Sequence, residues 1–209
     1  ILIGSGNMSI AYCKVLKSLN VDFTVVGNSE SKSQAFTSKT GHPCISGGIE
    51  NYLKNIDHIP SHAIVAIQVE ALHDISVLLI KHGVLNILVE KPGGIDESEI
   101  NSLSKIAKNS CSLFVAYNRR FYQSVLEAKK RIINDGGAIS ARFEFTEWSH
   151  IIEKLDKPDK LKENWFLANS THVIDLAFSL IGKPTELSSY TSGNMNWHKP
   201  SIYSGAGVT

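Results

Sequence analysis

Hydrophobic and polar positions fall into two textures along the chain, and the change comes near residue 118. Before it, short β-branched runs alternate with longer amphipathic stretches. Residues 1–3, 23–26, 63–67, 86–89 and 112–116 read as strands. Residues 7–18, 31–38, 71–82 and 96–109 read as helices, with a short helical stretch at 48–54. Strand, helix, strand in repetition implies parallel pairing through crossover helices, because antiparallel neighbours need only a tight turn. The run Ala63-Ile64-Val65-Ala66-Ile67 is apolar at every position, as a strand covered on both faces must be. The first 118 residues are therefore expected to form a doubly wound α/β domain.

Beyond Tyr117 the pattern loosens. Residues 121–134 read as a helix closed by the turn signal Asp135-Gly136-Gly137. Residues 139–148 alternate, with Ile139, Ala141, Phe143 and Phe145 on one face and Ser140, Arg142, Glu144 and Thr146 on the other. That alternation predicts a half-solvated strand of antiparallel type. Residues 156–163 are charged, contain Pro158 and read as a surface loop; 173–181 read as a helix stopped by Gly182-Lys183-Pro184. Residues 186–192 and 201–209 read as strands. Residues 119–209 are thus expected to be a separate α+β domain with an open, largely antiparallel sheet. No internal repeat or low-complexity tract is present.

Composition narrows the function classes. The chain has 209 residues, 43% of them hydrophobic and 20% charged, which is ordinary for a globular protein. With 21 basic and 20 acidic residues, no charge excess advertises nucleic acid or an anionic membrane as partner. The apolar runs fall far short of the roughly 20 residues that a spanning helix needs. Cys13, Cys44 and Cys111 are odd in number and widely spaced, which suits buried thiols in a reducing, cytoplasmic setting. His58 and His62 have i,i+4 spacing, but the Pro60 between them argues against a helix carrying both, so no metal site is expected.

Three clusters carry chemistry. Gly4-Ser5-Gly6-Asn7-Met8-Ser9 follows the first strand and opens the first helix. Two glycines there permit a tight turn and let backbone N–H groups approach a pyrophosphate, while the helix N-terminus adds partial positive charge. Ser9 takes the third small position. In this context the motif points to dinucleotide binding by a Rossmann-type domain. An acidic residue about 20 positions further on would accept the ribose hydroxyl of NAD. The chain has Gly27-Asn28-Ser29 instead, with no carboxylate before Glu30. Asn28, Ser29 and Lys32 suit a 2′-phosphate, which leans the cofactor toward NADP over NAD. Ser29 as a plain helix cap is the alternative.

The second cluster is Glu90-Lys91-Pro92-Gly93-Gly94 at a strand's carboxyl end, where ligands of open α/β sheets bind. The third is Asn169-Ser170-Thr171-His172-Val173-Ile174-Asp175. In this order and spacing, with His73 and Tyr117-Asn118-Arg119-Arg120-Phe121 in support, the chain resembles the Gfo/Idh/MocA family of NAD(P)-dependent oxidoreductases, including members among surface-polysaccharide enzymes. The resemblance implies a cofactor site of Gly4, Ser5, Gly6, Asn7, Met8, Asn28, Ser29, Lys32, Glu90 and Pro92. It also implies Lys91 near the nicotinamide and the reacting carbon, with Lys91–Pro92 as a candidate cis peptide.

The bottom-up chemistry agrees. A secondary alcohol loses its hydroxyl proton as hydride leaves the carbon, and an ammonium beside it stabilises the developing alkoxide. His172 suits proton exchange with that hydroxyl; a plain helix-start histidine is its alternative. The family often carries an Asp four residues before the histidine, and this chain has Ala168 there. The full Lys/Asp/His set therefore does not carry over. Arg119, Trp165 and Asn169 are the candidate substrate contacts, since aromatic faces stack on sugars and polar groups hold hydroxyls.

The expected activity is hydride transfer to or from a ring carbon of a sugar, sugar nucleotide or related polyol. A dinucleotide-binding sensor without turnover is the alternative that Ala168 motivates. Homo-oligomerisation through the second sheet is expected, because an open sheet face must be covered. The second half offers about three strands against a mean of five or six, and Ile1 and Thr209 both fall inside strand-like runs. A second domain whose sheet is incomplete in this chain is the expectation.

Overall fold

The alternating first half folds into the expected parallel sheet. The computed structural model describes residues 1–209 and divides into two units, Ile1–Ala116 and Tyr117–Thr209. In the first unit the order is β1 (Leu2–Ile3), α1 (Asn7–Ser18), β2 (Val25–Val26), α2 (Glu30–Thr40), β3 (Cys44–Ile45) and α3 (Ile49–Lys54). It continues with β4 (His62–Val65), α4 (Leu72–Lys81), β5 (Asn86–Val89), α5 (Glu97–Ala107) and β6 (Ser112–Val115). The six strands stand in the order β3-β2-β1-β4-β5-β6, every neighbour parallel. The order reverses between β1 and β4, the topological switch point at which a doubly wound sheet opens a crevice.

Successive strand residues feed opposite faces of this sheet. Leu2 and Val25 join Cys13, Phe36 and Ala66 in one buried cluster. Their neighbours Ile3 and Val26 join Val65, Leu72, Leu79, Ile87, Val89 and Leu103 in the other. This is the period of two expected of strands buried on both sides. Side chains such as Leu72 and Leu79 are completely buried, each stabilising the unit by about 1.5–3 kcal/mol relative to exposure. Helix ends follow local chemistry. Asp96 caps α5 by accepting the Glu99 N–H at 3.0 Å, and Glu99 reaches back to the Ile95 N–H at 2.8 Å. Gly41, at φ +64°, ends α2 in the left-handed conformation.

The second unit begins with a 3₁₀ turn, Asn118–Phe121, and α6 (Gln123–Asn134). Two short helices follow, α7 (Ser149–Ile152) and α8 (Asp159–Glu163). A π-helical turn, Phe166–Ser170, runs directly into α9 (Thr171–Ile181). The unit closes with β7 (Glu186–Ser192) and β8 (Ile202–Val208), an antiparallel pair in register from Glu186↔Val208 to Ser192↔Ile202.

Two expectations are corrected here. Residues 139–148 are not a strand: they belong to no ladder, Ile139 is fully exposed, and Phe143 packs edge-on against Phe178. Alternation supplies a face, but a strand exists only where a neighbour satisfies its backbone groups. Residues 156–163 are not wholly loop, because α8 forms there and buries Leu161.

Candidate functional site

The strand-to-helix turn after β1 is shaped by close approach. Gly4 has φ +116°, and a Cβ on it would lie 2.2 Å from the Ala66 carbonyl oxygen at the end of β4. Only glycine fits. Ser9 is fully buried and its Oγ donates to the same carbonyl at 3.1 Å, so this small residue ties α1 to β4. Gly6 is the opposite case: a Cβ there would meet nothing within 4 Å. It sits exposed at the N-cap of α1, where no side chain caps the helix. The first bond of α1 runs from the Ile10 N–H to the Gly6 carbonyl, leaving the preceding N–H groups of Asn7, Met8 and Ser9 without intrahelical acceptors. An open, uncapped helix start beside the switch point fits a dinucleotide pyrophosphate.

The tip of β2 lies against this turn, since a Cβ on Gly27 would come 3.2 Å from Ser5 Oγ. Asn28 and Lys32 are exposed there, and the buried Ser29 hydroxyl oxygen has no partner. Ser29 occupies the N-cap position of α2 without making a side-chain cap bond. Glu30, the first carboxylate past the tip, accepts hydrogen bonds from Ser46 and Gln34, which hold its pKa below the usual carboxylate range.

The turn after β5 completes the first group. Lys91–Pro92 is cis, and Gly93 at φ +92° would place a Cβ 3.2 Å from Val115. Lys91 is half-buried and Pro92 through Ile95 are buried. Tyr12 on α1 donates a 2.8 Å hydrogen bond to Glu90 Oε1, joining the helix of the glycine turn to the segment that carries Lys91. Burial, then Glu90 as acceptor and as charge, pushes the Tyr12 phenol well above its ordinary range. His73 stands elsewhere, bridging Asp74 and Ser102 between α4 and α5.

The second group gathers where the π-helical turn meets α9. His172 lies edge-on to Tyr117, with ring centroids 5.9 Å apart. Tyr117 is hydrogen-bonded to Thr171, and burial raises its phenol pKa. Arg120 forks onto both carboxylate oxygens of Asp175, with Nε 2.7 Å from Oδ2. Asp175 is therefore the anchor for the 3₁₀ turn, and Arg120 rather than Arg119 makes the pair. Trp165 stands perpendicular to Trp197, its buried indole N–H without a partner.

Sequence reasoning missed one carboxylate. Glu147 Oε1 accepts from Asn169 Nδ2 at 3.1 Å and from the buried Ser170 Oγ at 3.0 Å. These two residues follow Ala168, itself buried. One signal marked it: in the alternation of residues 139–148, Glu147 falls on the otherwise apolar face.

No protein-family model matches the chain, and no curated protein matches it. Solved structures do. The WlbA dehydrogenase from Bordetella pertussis, in complex with NADH and UDP-GlcNAcA, aligns with a TM-score of 0.70 at 16% identity, over 91% of this chain and 60% of that one. Levoglucosan dehydrogenase, in complex with NADH and levoglucosan, aligns at 0.69 and 21% identity, over 94% and 57%. A putative NADPH-dependent oxidoreductase from Desulfitobacterium hafniense aligns at 0.70 and 15% identity, over 92% and 57%. At these identities the likeness establishes the fold, which is the one that the Gfo/Idh/MocA resemblance implies. The chain spans less than two thirds of the length of these structures.

Proposed function

We propose that the chain is the cofactor-binding part, with a portion of the substrate-binding part, of a nicotinamide-dependent oxidoreductase acting on a sugar, sugar nucleotide or related polyol. The domain limits are residues 1–118 for cofactor and 119–209 for substrate and self-association through the second sheet. The observation that carries the reading is the Gly4–Gly6 turn at the switch point, closed by Ala66 on one side and open at Gly6 on the other. Gly4, Ser5, Gly6, Asn7 and Met8 would hold the pyrophosphate through backbone N–H groups. Asn28, Ser29 and Lys32 face the adenosine ribose, and the engagement of Glu30 by Ser46 and Gln34 supports NADP over NAD. Glu90 and Pro92 shape the nicotinamide end. No helix is long and apolar enough to cross a membrane, and a cytoplasmic role in surface-polysaccharide synthesis is the biological setting this reading favours.

When bound, the nicotinamide supplies or accepts hydride at the substrate carbon. Lys91 stabilises negative charge on the substrate oxygen with its ammonium, and His172 exchanges the hydroxyl proton. Arg119, Trp165 and Asn169 contact the sugar.

Fluorescence titration with NADPH and NADH, followed by turnover assays on UDP-sugars, tests the proposal. The expected result is tighter binding of NADPH. Lys91→Ala is expected to hold cofactor within about threefold while losing about 100-fold or more in turnover. Cofactor binding with no turnover of any sugar, and no effect of Lys91→Ala, identifies a sensor instead.

A further inference from the structure

Glu147 lies in the extended segment that joins no sheet, yet it is held in place by the turn that leads into α9. Both hydrogen bonds fall on a single carboxylate oxygen, Oε1, and Oε2 is left as an open acceptor. The arrangement also decides the orientation of Asn169. Only the amide nitrogen can donate to a carboxylate, so Oδ1 is turned to the other side as a second acceptor. The Ser170 hydroxyl proton is already committed to Glu147. Glu147 is exposed and Asn169 half-exposed, so a ligand can reach both. Asn169 stands three residues before His172, in the π-helical turn that runs directly into α9.

We propose that Glu147 Oε2 and Asn169 Oδ1 form a ligand-reading pair that binds neutral hydroxyl groups of a polyol beside His172. Two outward acceptors take hydroxyl hydrogens, and the negative charge of Glu147 disfavours a carboxylate or phosphate at this point. The assignment names which end of the ligand lies here: the uncharged ring, with any phosphate elsewhere. It rests on the reading of His172 as part of a sugar site, and it adds a residue 25 positions upstream of that histidine that no motif singles out.

The test is ligand-observed NMR on the full chain, with and without saturating NADPH, using myo-inositol, methyl glucoside and glucuronate as probes. The neutral polyols are expected to bind and glucuronate to bind more weakly. Glu147→Gln is the decisive variant. Glutamine keeps an oxygen for Asn169 and Ser170 but replaces the outward charged acceptor by a neutral amide N–H, so the fold is kept and the stronger, charge-assisted contact to a hydroxyl is lost. It is expected to weaken polyol binding about fivefold or more, the worth of a hydrogen bond, with Asn169→Ala doing the same and an unchanged melting temperature for Glu147→Gln. Polyol binding equal to wild type in Glu147→Gln overturns the proposal and leaves Glu147 as a brace of the turn. So does a wild-type chain that binds none of the neutral polyols at tens of millimolar. If NADPH does not bind but polyol binding still falls in Glu147→Gln, the dinucleotide reading fails and this one stands.

Discussion

The two units spend their apolar residues differently. In Ile1–Ala116, alternate strand residues enter two buried clusters, and completely buried side chains line both faces of the sheet. In Tyr117–Thr209, only Ile152, Leu161 and Ala168 are buried hydrophobics, while Phe121, Ile139, Trp148, Leu187, Tyr190 and Val208 are exposed. The β7–β8 pair is a ribbon with exposed positions along almost its whole length. The first unit is thus held by packing, and the second by discrete polar and aromatic ties: Arg120 to Asp175, Glu147 to the π-helical turn, Phe166 stacked on Tyr203. The Gly4 turn, where a Cβ would lie 2.2 Å from the Ala66 carbonyl oxygen, sits on the unit that packing holds together.

Truncating one side chain in each unit breaks this contrast most directly. Leu72→Ala, at a completely buried site, is expected to cost about 2–5 kcal/mol in urea unfolding. Leu187→Ala, on an exposed strand, is expected to stay within about 0.5 kcal/mol. Equal losses would show that the β7–β8 ribbon is packed against something and that the contrast is false.

Next in size is Arg120→Ala. It strands Asp175, whose side chain is only 10% exposed, without its partner. The loss is expected at about 1–3 kcal/mol, below that for a fully buried pair because the guanidinium is half in solvent. Circular dichroism of the second unit's helices and a melt of the whole chain would read it.

The smallest effect separates the units by pH. Burial raises the phenol pKa of Tyr12 in the first unit and Tyr117 in the second. Up to about pH 10 both phenols are neutral, folded or unfolded, and contribute no slope. Above it the unfolded chain releases protons that the native chain keeps, so stability falls as pH rises toward the folded values. Tyr12→Phe is expected to flatten this alkaline decline more than Tyr117→Phe, because Glu90 adds to burial only at Tyr12. The reverse order would contradict the assigned causes.

The contrast also explains what could be read in advance. The βα alternation and the Gly4–Ser9 motif are local patterns, and a sheet buried on both faces writes itself as apolar runs. The two-residue β3 carries no such run, since Cys44 and Ile45 are partly exposed, and it emerges only from pairing with β2. Residues 139–148 misled for the converse reason: their alternation is strand-like, but strand formation depends on a neighbour that local sequence does not specify. Glu147 was hidden by the same dependence, since its partners lie 22 and 23 residues away. The choice of Arg120 over Arg119 for Asp175 likewise follows from the 3₁₀ turn, whose phase the residues alone leave open.

The central claim is that the Gly6 opening receives a dinucleotide, and Gly6→Asp tests it with little structural confusion. Gly6 has φ −87° and empty space where a Cβ would stand, so aspartate fits the fold and melting is expected to be unchanged. Its carboxylate would meet the pyrophosphate at close range. Fluorescence titration is expected to show NADPH binding to the unaltered chain and a loss of about tenfold or more in Gly6→Asp. Equal affinity in the two proteins, or none in either for NADPH and NADH, would contradict the account.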